Sequence, residues 1–117
     1  MLKFFIIENY PEILTFTLEI NRNEIQKNID LISKIFSEEI TIGNNEYKMI
    51  GIITLPKQCH FGTIILNTTN LTENINENYF YDYDSLNDYG EVIVKEKKEF
   101  NMKMIIPNVF IYLRKKK

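Results

Sequence analysis

The stretch "PEILTFTLEI", residues 11–20, alternates without a break: Ile13, Thr15 and Thr17 fall on one side, Leu14, Phe16, Leu18 and Ile20 on the other. A period of two marks a strand with one apolar face, and Pro11 stands at its start, where a missing amide donor is tolerated. "YKMIGIITL" and "FGTIILN" are continuous apolar runs, expected as central strands joined by "PKQCH". "LKFFII", "YFYDYD", "EVIVKE" and "IPNVFIYL" read as further strands, Gly43-Asn44-Asn45 as a turn, and the polar "TTNLTENINEN" as a surface loop. Only four glycines and three prolines interrupt these runs. The chain is therefore expected to be α+β and mostly β, an antiparallel sheet with one or two short helices. Residues 24–35 stay open between helix and strand. Ile25, Ile29 and Ile32 fit a helical stripe, whereas Ile29, Leu31 and Ile35 fit alternation.

With 117 residues the chain is expected to form one domain over 1–113, followed by a basic tail at 114–117. Its net charge of -2 gives no pull toward nucleic acid. RNA phosphate contact, weak at most, would fall to Lys95, Lys97, Lys98, Arg114 and Lys115, without reading of bases. A single cysteine excludes an internal disulfide, and one histidine without clustered ligands closes no zinc site. There is no Gly-rich phosphate loop, so neither metal nor cofactor is expected. No segment reaches the length of a membrane span, and "MLKFFIIENY" is too short in its apolar part for a signal peptide. A cytoplasmic or nuclear protein is expected, from an AT-rich genome by its bias toward Ile, Asn and Lys.

The one histidine, His60, follows the one cysteine, Cys59, at the head of an apolar run. A general base gains from a carboxylate that fixes its tautomer and stabilises its protonated form. If "FGTIIL" and "YFYDYD" are neighbouring antiparallel strands, His60 begins one and Asp84 ends the other, side by side. Asp82 shares the parity of Asp84 but sits one pleat further in. Cys59 is a poor nucleophile for this pair, because adjacent residues on a strand point to opposite faces. It reads as a small apolar thiol.

Six segments carry a resemblance to the C-terminal half of the ubiquitin-specific proteases, papain-like deubiquitinases. "YPEILTFTLEI" resembles their Leu-Pro-x-Val-Leu-x-x-x-Leu-x-Arg-Phe strand, with Ile20 where the arginine stands, and "KIFSEEITI" resembles Phe-Pro-x-x-Leu-x-Leu, with Ser37 for proline. "YKMIGIITL" is similar to Tyr-x-Leu-x-x-Val-x-x-His, and "CHFGTIIL" to the Gly-His-Tyr-x-x-Tyr box. "FYDYDSL" resembles Trp-x-x-Phe-Asp/Asn-Asp, and "PNVFIYLRK" the closing strand. The resemblance implies the palm sheet of that fold. It assigns His60 to the catalytic histidine and Asp84 to the catalytic acid, as a vestigial pair or one completed in trans. The chain departs from the family in several places. No segment corresponds to the Cys box or the zinc fingers. Cys59 replaces a glycine, Gly62 and Thr63 replace threonine and alanine, and Ile65 stands at the second aromatic.

An imidazole and a carboxylate without their thiolate carry out no acyl transfer. The resemblance therefore implies a non-catalytic, degenerate protease-like protein that binds partners or scaffolds an intracellular assembly, as inactive family members do. Tyr81, Tyr83, Asp82, Phe61 and Tyr89 are the leading contact candidates, within a wider set that adds Tyr79, Phe80, Asp84 and Asp88. The expected partner is a protein, ubiquitin or a Cys-bearing half-domain among the candidates. Two other expectations stand beside this one. One is half of a split deubiquitinase, supplying His60 and Asp84 to a separate chain and leaving a large apolar face exposed in the isolated chain. The other is a component of a ribonucleoprotein such as a ribosome or spliceosome.

Overall fold

The computed structural model describes residues 11–55, 62–66, 79–84 and 92–115. Its strands are β1 (Ile13–Thr17), β2 (Glu39–Ile42), β3 (Asn45–Thr54), β4 (Gly62–Ile65), β5 (Tyr79–Asp84), β6 (Val92–Glu96) and β7 (Pro107–Arg114). All seven belong to one antiparallel sheet in the order β1-β7-β3-β4-β5-β6, with β2 paired to β3 alongside this path. Two short helices, α1 (Arg22–Lys27) and α2 (Ile29–Ile35), precede β2, and two single 3₁₀ turns precede β7. The fold is mostly β, as the apolar runs require. The expected strand "LKFFII" and the loop "TTNLTENINEN" lie outside the described residues.

The segment left open by its periodicity is helical. Ile25 and Ile32 are fully buried, Ile29 is half-buried, and Phe36 closes the stripe one turn further on. Spacings of four, three and four keep these side chains on one helical face. Leu31, which the alternating pattern would bury, is exposed. A local signal reinforces the helix. The Asn21 side chain accepts the Glu24 amide at 2.9 Å, satisfying a donor that the first turn leaves unpaired. Asn28 separates the two helices, its side-chain amide donating to the Glu24 carbonyl at 2.8 Å.

The two helices cover one side of the sheet. Phe110 of β7 stacks on Phe36 at 4.4 Å, and Phe16 of β1 meets both Phe36 and Tyr112 edge-on or tilted. Tyr47, Met49 and Ile52 of β3, Ile64 of β4 and Phe80 of β5 complete the core. Two buried tyrosines tie their hydroxyls to distant backbone: Tyr47 donates to the Pro11 carbonyl at 2.8 Å and Tyr112 to the Ser37 carbonyl at 2.7 Å. The β2–β3 hairpin turns on Gly43 and Asn44, where Gly43 takes φ 61, a left-handed conformation that costs glycine nothing.

The other side of the sheet is a different surface. Paired residues of an antiparallel sheet share a face, so the register traces rows of neighbours across it. One row runs Thr15, Ile111, Gly51, Ile65, Tyr81, Val94; the next runs Thr17, Val109, Ile53, Thr63, Tyr83, Val92. Neither holds a charged side chain. Ile13, Ile65, Tyr79, Tyr83, Val92 and Val94 all stand exposed on this side, and no described helix covers it. Among the described large hydrophobics only Leu31 and Met104 are comparably exposed elsewhere.

Burial holds the Tyr112 phenol above its ordinary value, and the Glu38 carboxylate nearby adds to the shift. A neutral acid whose folded pKa is raised stabilises the fold below its unfolded value, about 10 for tyrosine, and loses that contribution as pH rises past it. Tyr112→Phe is expected to cost about 1–2 kcal/mol at neutral pH, the loss of a buried hydrogen bond. It should also flatten the fall in stability above pH 10. Urea unfolding across pH 7–11 checks both effects.

Candidate functional site

The histidine box and the acid segment lie on neighbouring strands. β4 and β5 run antiparallel with Gly62 opposite Asp84, Thr63 opposite Tyr83, Ile64 opposite Asp82 and Ile65 opposite Tyr81. The start of β4 therefore meets the end of β5, the strand geometry expected from the sequence. His60, Cys59, Phe61, Asp88 and Tyr89 lie outside the described residues, and of Asp84 only the strand position is described.

The candidate contact residues of β5 divide between the two sides. Phe80 was expected among the partner-contacting aromatics, and this is corrected: it is buried, at 5% exposure, with its ring 5.4 Å from Phe100. Its parity turns it toward the helices. Asp82 shares that side and is half-buried opposite Ile64. Tyr79, Tyr81 and Tyr83 point the other way, Tyr79 and Tyr83 exposed and Tyr81 half-buried. Asp82 and the tyrosines Tyr81 and Tyr83, named together as contact candidates, thus stand on opposite sides of the sheet. Period-two parity separates the acid from the tyrosines.

Sequence reading did not name the residues of the surface to which those tyrosines belong. Its members come from six strands, and only the register aligns them. One local signal existed: the alternation in residues 11–20 left Ile13 opposite the core-facing Leu14.

Several basic side chains named for phosphate contact are engaged with carboxylates. Lys97 lies 3.3 Å from Glu38, Lys98 3.1 Å from Glu96, and Lys115 2.6 Å from Glu39. The Lys115 ammonium holds the Glu39 carboxyl below its usual range, and Glu39 in return raises Lys115. Such exposed pairs contribute little to stability. They do reduce the field these lysines offer to a polyanion.

A polar cleft of about 770 Å³ opens at the far end of β3 from Gly62, between the β2–β3 turn and the end of β7. Glu12, Asn45, Arg114 and Lys115 form part of its walls. No described helix is long and apolar enough to cross a membrane. Comparison of the chain with models of protein families, with curated proteins and with solved structures gave no match.

Proposed function

We propose that this chain is a non-catalytic, degenerate relative of the ubiquitin-specific proteases, working as a protein-binding or scaffold module in a larger intracellular assembly. Support for the relationship comes from six segments in family order and from the β4–β5 register. That register brings the strand following His60 against the strand ending in Asp84. Support for the lack of catalysis comes from the thiol. Cys59 is the only one in these 117 residues, and a catalytic Cys–His pair is normally distant in sequence and assembled by the fold.

The observation that carries the binding role is the open side of the sheet. Monomeric soluble proteins rarely expose contiguous apolar patches of more than a few hundred Å², and larger ones mark interaction sites. Here Ile65, Tyr83, Val92 and Val94 lie exposed on three consecutive strands.

A ubiquitin-based vinyl probe, which traps an activated thiol covalently, is expected to leave the isolated protein at its unmodified mass. A ubiquitin adduct at Cys59 in the mass spectrum would overturn the non-catalytic reading. The Gly62–Asp84 pairing and the same open apolar side also favour a second reading, in which His60 and Asp84 serve a Cys-bearing partner chain. In the natively purified complex, His60→Ala leaves partner binding and composition unchanged under the first reading. Under the second it abolishes a deubiquitinating activity.

A further inference from the structure

We propose that the occupant of the open side of the sheet is the same side of a second copy of this chain. The inference rests on the binding-module reading and names its partner. Sheets with two apolar faces must bury both, and the helices serve only one of them here.

Charge favours self-association. The two rows that cross the open side hold no ionised group; at their margins Lys98 pairs with Glu96, and Lys48 and Lys115 both act on Glu39. Two identical faces therefore approach without like-charge repulsion. A nucleic acid would find no cation in those rows for its phosphates.

Size bears on the strength of the contact. Five inter-strand gaps of about 4.8 Å and strands of about 17 Å give a footprint of roughly 400 Å². That is about half of the roughly 800 Å² per partner of a standard interface, so association that rises with concentration is expected rather than a permanent dimer. Two twisted sheets pack about 10 Å apart with their strands some 30° from parallel. The product is a four-layer assembly with both helix pairs outside.

Sedimentation velocity of the full chain from about 1 to 200 µM is the test. The expected result is a mass rising with concentration from 14.0 kDa to twice that value. Ile65→Lys with Val94→Lys should weaken association at least tenfold, since each substitution places a charge in both halves of the interface. Leu31→Lys, on the exposed face of α2, should leave it unchanged. Circular dichroism confirms folding of each variant, which is expected because all three side chains are solvent-exposed. A chain that remains folded at 14.0 kDa throughout overturns the second copy as occupant. A photo-crosslinking residue at Val94, used in cells, separates the two possible failures. A crosslink to a different protein would leave the binding-module reading standing without the dimer, whereas a monomer with no crosslink removes both.

Discussion

Phe110→Ala is expected to cost about 3–5 kcal/mol of folding stability, enough to lower Tm by at least about 10 °C. The magnitude follows from the ring's position. Phe110 is fully buried in β7, opposite Phe16 of β1 and Ile52 of β3, and stacks within 8° of parallel on Phe36 after α2. Its removal opens a cavity beneath both flanking strands and withdraws the surface on which the helical segment rests. A close-packed interior fills such a void only in part. Phe110→Leu, which keeps most of the volume, should cost clearly less. Thermal and urea unfolding of the three proteins measure the series. Equal stability of the alanine variant and the parent would mean that the Phe36–Phe110 stack does not hold the layers together.

Gly62→Ala is expected to cost about 1–3 kcal/mol through crowding. The glycine starts β4, opposite Thr54 on one side and Asp84 on the other. A methyl carbon added there would lie 2.6 Å from the Thr54 hydroxyl oxygen and 3.5 Å from the Tyr83 carbonyl oxygen. The first distance is far inside contact range, so β3 and β4 must part or the threonine must rotate. Thr54→Ala removes the obstructing oxygen, and the double variant should recover most of the lost stability. That non-additivity identifies the cause. If the double variant is as unstable as the two single changes added together, crowding against Thr54 is not the reason. The same contact gives a local reason for glycine where the resembling family box carries threonine.

Parity governs how far the fold was legible in the sequence. β1 could be read because Pro11 and strict alternation agree, and Leu14 and Leu18 are buried while Ile13 is not. The helical segment supported two patterns over residues 24–35. Extending the window settles it, because Asn21 caps the first turn and Phe36 continues the buried stripe. β2 was missed because "EITI" is four residues long and takes its strand character from pairing with β3. Phe80 was not separable from Tyr79, Tyr81 and Tyr83 in advance, because period two divides the run into two sets and only the packing shows which set faces the core. In the candidate site, the meeting of Gly62 with Asp84 followed from hairpin logic. The membership of the open apolar side did not, because pairing between strands distant in sequence composes it.

The position of β7 has a consequence for how the protein is made. This strand lies between β1 and β3, so two portions of the sheet synthesised earlier have no direct seam and await a strand ending at residue 114. Contacts of such long sequence separation form slowly, and unpaired edges are sticky while they wait. On the ribosome, the flank of β3 destined for β7 stays bare until that strand emerges from the exit tunnel. Nascent chains halted before residue 107 should therefore engage chaperones, and release should follow the emergence of β7.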